Sequence, residues 1–137
     1  MRRIFIIIIS FSLYCTSYSS PNYDLVKEIA TEIAKHNIYE SAIIGFAATQ
    51  STQNMRLNQL VMIASDNQLY SLAKHSNAVV RLYALMAIVT RNLAISPELK
   101  DQFYKDRSIV VTLQGCVINK SSVDVISKMI LLTEKVC

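Results

Sequence analysis

Glycine and proline are nearly missing, with two of each in 137 residues. A turn-rich β-sandwich or barrel needs such punctuation about every 8–12 residues, so both are argued against. Gly45 and Gly115 alone cannot spell G-x-G-x-x-G or G-x-x-x-x-G-K, which excludes a glycine-rich phosphate loop. The three cysteines form no Cys-x-x-Cys pair, no His-Glu-x-x-His occurs, and the acids are not clustered. The common metal sites are therefore absent, and no cofactor is implied. Tryptophan is lacking altogether. What remains is an apolar chain, 52% hydrophobic with a mean hydropathy of +0.30. That is the composition of one folded domain, not of a disordered segment.

The first residues read as an address. Met1-Arg2-Arg3 precedes the apolar run Ile4 to Tyr14, and the small residues Thr16-Ser17-Tyr18-Ser19-Ser20 follow. This is the three-part pattern of a secretory signal, assigned to residues 1–19 with cleavage after Ser17 or Ser19. A membrane-spanning anchor needs roughly 20 apolar residues, and Ser and Thr interrupt this run too early. Cys15 offers an alternative. Ser12-Leu13-Tyr14-Cys15 resembles the lipidation site of bacterial lipoprotein signals, although the bulky Tyr14 stands where a small residue is expected. The protein is thus expected to be exported, periplasmic or secreted, and membrane-tethered only if Cys15 is lipidated. Once Arg2 and Arg3 leave, the 14 basic residues become 12 against 10 acidic ones, so the net charge falls from +4 to +2. The remaining basic residues are scattered and form no stripe, which argues against a nucleic-acid partner.

Residues 20–137 read as helices throughout. Apolar positions 25, 26, 29, 30, 33 and 34 make one helical face, with Asn22 as its cap. The run 38–48 is also apolar. Periodicity does not separate a buried helix from a buried strand over so short a stretch, and we read it as a second helix. A third stripe runs from Gln53 to Ala64. Ser65 and Gln68 form a capping box that opens the next helix. Asn77 caps a helix over 78–92 that is apolar around so much of its circumference that it must lie centrally. Ser96-Pro97-Glu98 is a helix start, with cap, proline and first-turn acid in order. Ser108 to Gln114 is β-branched and favours extended chain by propensity. With no partner strand evident, we read it as helical or irregular. Ser121-Ser122 caps a last helix.

Within 69–87, Asn77, Val80, Arg81 and Ala84 match the turn and second helix of a HEAT repeat, whose second helix opens Val-Arg-x-x-Ala. The chain resembles that family, and more weakly a group of small exported bacterial proteins in which a Gln-x-Gly-Cys-like run follows a HEAT unit, here Gln114-Gly115-Cys116. The resemblance implies an all-α fold, a short α-solenoid of about six or seven antiparallel helices. It also implies a structural Arg81 that lays its stem on neighbouring turns and pairs with an acid or carbonyls.

Candidate sites are few. Cys116 and Cys137 remain after processing, and in an oxidising compartment they could pair or stay as a core thiol and a terminal thiol. His36 and His75 each follow a predicted helix end, where the helix dipole explains them without metal or acid-base duty. A serine or threonine nucleophile needs a base held by a third group, and no such arrangement is visible. Tyr23, Tyr39, Tyr70, Tyr83 and Tyr104 suit a contact face or half-buried helix positions. The expectation is a non-enzymatic, protein-binding or scaffold module of the bacterial envelope. The alternatives are a lipid-anchored structural protein and an enzyme whose site is not visible in the order of residues.

Overall fold

The computed structural model describes residues 21–133. Residues 1–19, read above as a signal segment, Cys15 and Cys137 lie outside the described residues. Six helices and a four-stranded sheet are present among them: α1 Pro21–His36, β1 Ile38–Ile44, β2 Thr49–Gln50, α2 Thr52–Ile63, α3 Asp66–Leu72, α4 Ala78–Thr90, α5 Pro97–Lys105, β3 Ile109–Gly115, β4 Val117–Ser122 and α6 Val123–Thr133. The sheet order is β2-β1-β3-β4, with β1 and β3 parallel and both outer pairs antiparallel.

The all-α HEAT-like solenoid expected from the sequence is therefore not the fold, which is mixed α/β. The HEAT-like segment does form a local helix–turn–helix, α3 and α4, but strands interrupt the helices on either side of it, so no further repeat follows. Residues 38–50 and 109–122 become the sheet instead. The physical reason lies in their partners. Ile38, Tyr39 and Glu40 lie beside Val111, Thr112 and Leu113, so each β-rich run supplies the other's backbone hydrogen bonds. The partner strand on β3's other edge is the segment directly after it. Gln114 faces Val117 across Gly115-Cys116, and Gly115 alone of these two has a positive φ, at +59°. Glycine at the first position of a two-residue turn gives a connection whose twist matches the strands it joins.

Helix ends follow local chemistry. The Ser65–Gln68 capping box is present in both directions. Ser96 caps α5 with Pro97 behind it, and Ser51 caps α2 by accepting from the Asn54 N–H. Asn22 does not cap α1, because the helix already begins at Pro21. Two asparagines end helices in the left-handed region. Asn37 (φ 54°) donates its N–H to Ile33 O, while Asn92 (φ 53°) and Leu93 donate to Val89 O and Ile88 O. Asparagine tolerates that conformation better than branched residues do, and these bonds satisfy the last carbonyls of each helix.

The core centres on α4. Its Val79, Val80, Leu82, Tyr83, Ala84, Leu85, Ala87 and Ile88 are all buried. They are covered by α1, α2, α3, α6 and the sheet. Each large side chain so buried is worth about 1.5–3 kcal/mol relative to exposure. Small Ala84 and Ala87 let neighbours approach closely.

Candidate functional site

Three of the six buried polar residues among those described, Glu40, Ser51 and Gln53, gather where α1, β1 and α2 meet. Asn37 turns the chain back after α1, so Glu40 returns to the end of the helix. His36 Nε2 then lies 2.6 Å from Glu40 Oε1. The Ser51 hydroxyl donates to Glu40 Oε2 at 2.5 Å. Gln53, fully buried, donates to Ile38 O at 3.0 Å and accepts from Arg56 Nη1 at 3.0 Å. The Glu40 N–H donates to the Tyr83 phenol oxygen at 2.9 Å. Glu40 stands four residues after His36, a spacing visible in the sequence, but reading His36 as only a helix-end residue overlooks the pair, because the contact is made across the Asn37 turn and not along a helix face.

Histidine, glutamate and serine in contact invite a catalytic reading, and the geometry declines it. A nucleophile must meet the base, with the acid behind the base. Here the carboxylate stands in the middle and contacts both partners. Ser51 is 0% exposed and already accepts the Asn54 N–H. The network binds secondary-structure elements to one another and offers no attacking atom.

The HEAT-motif residues sit at the α3–α4 turn. Asn77 Oδ1 accepts from the N–H groups of Val79 and Val80, and Asn77 Nδ2 donates to Asn37 Oδ1 at 2.9 Å. Val80 and Ala84 are buried. Arg81 donates through Nε and Nη2 to Asp106 Oδ2 at 2.9 and 2.6 Å, through Nη1 to the carbonyls of His75 and Ser76, and through Nη2 to Ser108 Oγ. Burial pushes the Asp106 carboxyl upward. Hydrogen bonds from the Ser108 hydroxyl and N–H, together with the Arg81 guanidinium, outweigh it and hold the group below the usual carboxylate range.

The tyrosines divide. Tyr39 and Tyr83 are core residues with ring centres 5.3 Å apart. Burial pushes the Tyr39 phenol up to about 12 and raises that of Tyr83 further. Tyr70 donates to Ala94 O, and Tyr104 has the ammonium groups of Lys100 and Lys128 over its ring. Tyr23 is exposed. Cys116 is exposed at the β3–β4 turn. The segment 119–121, where a tight turn would bring the last helix back toward Cys116, is extended strand. Among the described residues no three His, Cys, Asp or Glu side chains gather as metal ligands would, and no helix is long and apolar enough to cross a membrane.

Grooves open at three places on the described surface: one of about 480 Å³ between Tyr70, Lys74 and the start of α5, one of about 380 Å³ between the start of α1 and the α2–α3 junction, and one of about 440 Å³ between α1 and α3, which has the longest apolar floor. Both helices pack onto α4, and the groove opens between them. From α1 it is lined by Tyr23, Val26, Lys27, Ala30 and Thr31, a stripe at helical spacing. From α3 and the turn after it come Asn67, Gln68, Ser71, Leu72 and His75. Val26 and Ala30 are buried and form an apolar floor. Lys27 is the one residue of fixed charge in the lining. The His75 ring takes up its Nδ1 by accepting the Asn77 N–H at 3.0 Å. The chain matches no family model, and no curated protein matches it.

Proposed function

We propose that this protein is a non-catalytic, exported binding module that holds an amphipathic helical segment of a protein partner between α1 and α3. The groove carries the reading. The α1 wall spans about two helical turns, roughly 12 Å at 1.5 Å per residue, which is the length of helix that three or four apolar anchors occupy, and the α3 wall continues from its last turn through the connection to His75. The apolar floor suits the anchors' stripe, and the polar rim of Thr31, Asn67, Gln68 and Ser71 suits the backbone and flanks of such a helix. Lys27 favours a partner with an acidic residue beside its apolar stripe. Export rests on the basic start and the apolar run of the first residues, with lipidation of Cys15 as the variant that would tether the module to the envelope. Mass spectrometry of the mature N-terminus separates the two.

The test of the groove is selection of short peptides from a random display library against the native protein. Selected sequences should carry apolar residues at i, i+3/i+4 and i+7 with an acid alongside. Ser71→Trp, at an exposed position of the rim, should reduce their affinity at least about tenfold, the equivalent of 1.4 kcal/mol, with the melting transition unchanged. Peptides that bind Ser71→Trp as well as the native chain would refute the reading.

A further inference from the structure

The two hairpin turns lie side by side at one end of the sheet. Ile44 is beside Gly115 in the β1–β3 pairing, and Gln114 faces Val117. The turns are bonded to one another: the Gly45 N–H donates to Gly115 O at 3.0 Å, and the Gly115 N–H to Ser41 Oγ at 3.1 Å. Within the first turn the Ala48 N–H donates to Gly45 O and Thr49 Oγ1 to Ile44 O. This end is thus pre-formed, and little ordering cost would attend its docking.

Its surface is apolar and carries no charge. Phe46, at the tip of the first turn, is fully exposed, and Ile43, Val117 and Ile118 are more than half exposed beside it. No charged residue occurs in 41–55 or in 108–119. Lys120 is the first charge behind the second tip, three residues and about 10 Å back along β4. The acids of the sheet's surroundings are elsewhere. Glu40 is bonded inside the protein, and Asp106 and Asp124 lie at the opposite end, where Ile109 faces Ser122.

We propose that this end of the sheet docks on the interfacial layer of a lipid bilayer, with Phe46 inserted among the acyl chains and Lys120 at the headgroups. Two observations select a lipid surface. The exposed charge changes along the sheet, from none at the tip to the lone exposed cation Lys120 at headgroup depth, while Glu40 is enclosed and the far-end acids Asp106 and Asp124 are held inside against Arg81, Arg107 and Lys128. That gradient matches the polarity profile of an interface with anionic lipids. The four exposed side chains also amount to roughly 500 Å², short of the ~800 Å² per partner of a specific protein interface, so a second copy of the chain would be held poorly by them. A bilayer needs no matching shape.

The native sequence has no tryptophan, so Phe46→Trp in the full chain places a single indole at the tip. Added to phosphatidylcholine vesicles brominated in the acyl chains, its emission should shift to the blue and be quenched. Including phosphatidylglycerol should move both effects to lower lipid concentration, and Lys120→Glu should remove that gain. Met62→Trp is the comparison, an exposed position at the other end of α2, about 15 Å from its start. Its indole should stay unquenched by the same vesicles. Absence of quenching at position 46 overturns the proposal. Equal quenching at positions 46 and 62 does so too, since the chain would then be adsorbing by another route. A blue shift at position 46 on raising protein concentration without lipid would assign the tip to a second copy instead. A phosphatidylglycerol gain that survives Lys120→Glu overturns the part given to that lysine.

Discussion

The backbone N–H of Glu40 donates to the phenol oxygen of Tyr83 at 2.9 Å, and this bond ties strand β1 to the central helix α4. Tyr83 is wholly buried. Tyr83→Phe keeps the ring and its stacking on Tyr39 but leaves a buried donor unpaired. It should cost about 1–3 kcal/mol in a urea-unfolding experiment. A variant as stable as the native chain would show that the strand holds without this bond.

The same burial makes stability depend on alkaline pH. Unfolded tyrosines ionise near 10, whereas the Tyr39 phenol is pushed up to about 12 and that of Tyr83 higher still. The folded state therefore holds protons that the unfolded state has lost, and stability is complete below pH 10 and declines above it. With two such groups the decline approaches about 2.7 kcal/mol per pH unit between 10 and 12. Phenolate absorbance followed against pH should show two of the seven tyrosines titrating only as the protein unfolds.

Arg81 and Asp106 set the acid side. Because the folded Asp106 titrates below its ordinary range, its contribution is present above pH ~4 and is lost as pH falls through the lowered value. Arg81→Ala should lower stability at neutral pH by about 1–2 kcal/mol through lost packing and hydrogen bonds. It should also flatten the acid limb of a stability–pH profile. Arg81→Lys keeps the charge without the fork that reaches two carbonyls and a carboxylate at once, and should recover little.

Gly115 tests the β3–β4 turn. A Cβ there would meet nothing within 4 Å, so the cost of a side chain is purely one of backbone conformation at φ +59°. Gly115→Ala should destabilise by about 1 kcal/mol and Gly115→Val by more, since branching disfavours that region further. Gly115→Asn should be the mildest of the three. Thermal melts of the set would order them, and a neutral valine would contradict the turn.

How much of this was legible can be argued from particular residues. Ser65 with Gln68, Asn77, and Ser96 before Pro97 announced helix starts, because a cap is a contact between residues two or three apart. The apolar circumference of 78–90 announced a central helix for a similarly local reason. The hairpin at Gly115-Cys116 was not read: Ser108 to Gln114 favours extended chain by propensity, but Val117 to Ser122 is mostly polar and does not stand out as its partner strand. The HEAT-like match at Asn77, Val80, Arg81 and Ala84 described a real helix–turn–helix but misled about the whole. One helical hairpin places no constraint on what packs against it. The candidate groove was invisible in a similar way: positions 23–31 and 67–75 each show only an ordinary partly polar helix face.

The sequence by itself determined the starts of α3, α4 and α5, the burial of α4 and the lack of a phosphate-loop or common metal motif, because each depends on residues within one or two turns of chain. Only the tertiary structure decided that 38–44 is a strand. Its apolar residues suit a buried helix equally well, and the choice is made by Val111 to Leu113, some seventy residues later, whose backbone groups complete its hydrogen bonds. The same long-range pairing brings the two uncharged turns together. Parallel pairing is non-local by nature: its stabilisation arrives only after the intervening chain has paid the entropy of closing the loop, and no local pattern records that exchange.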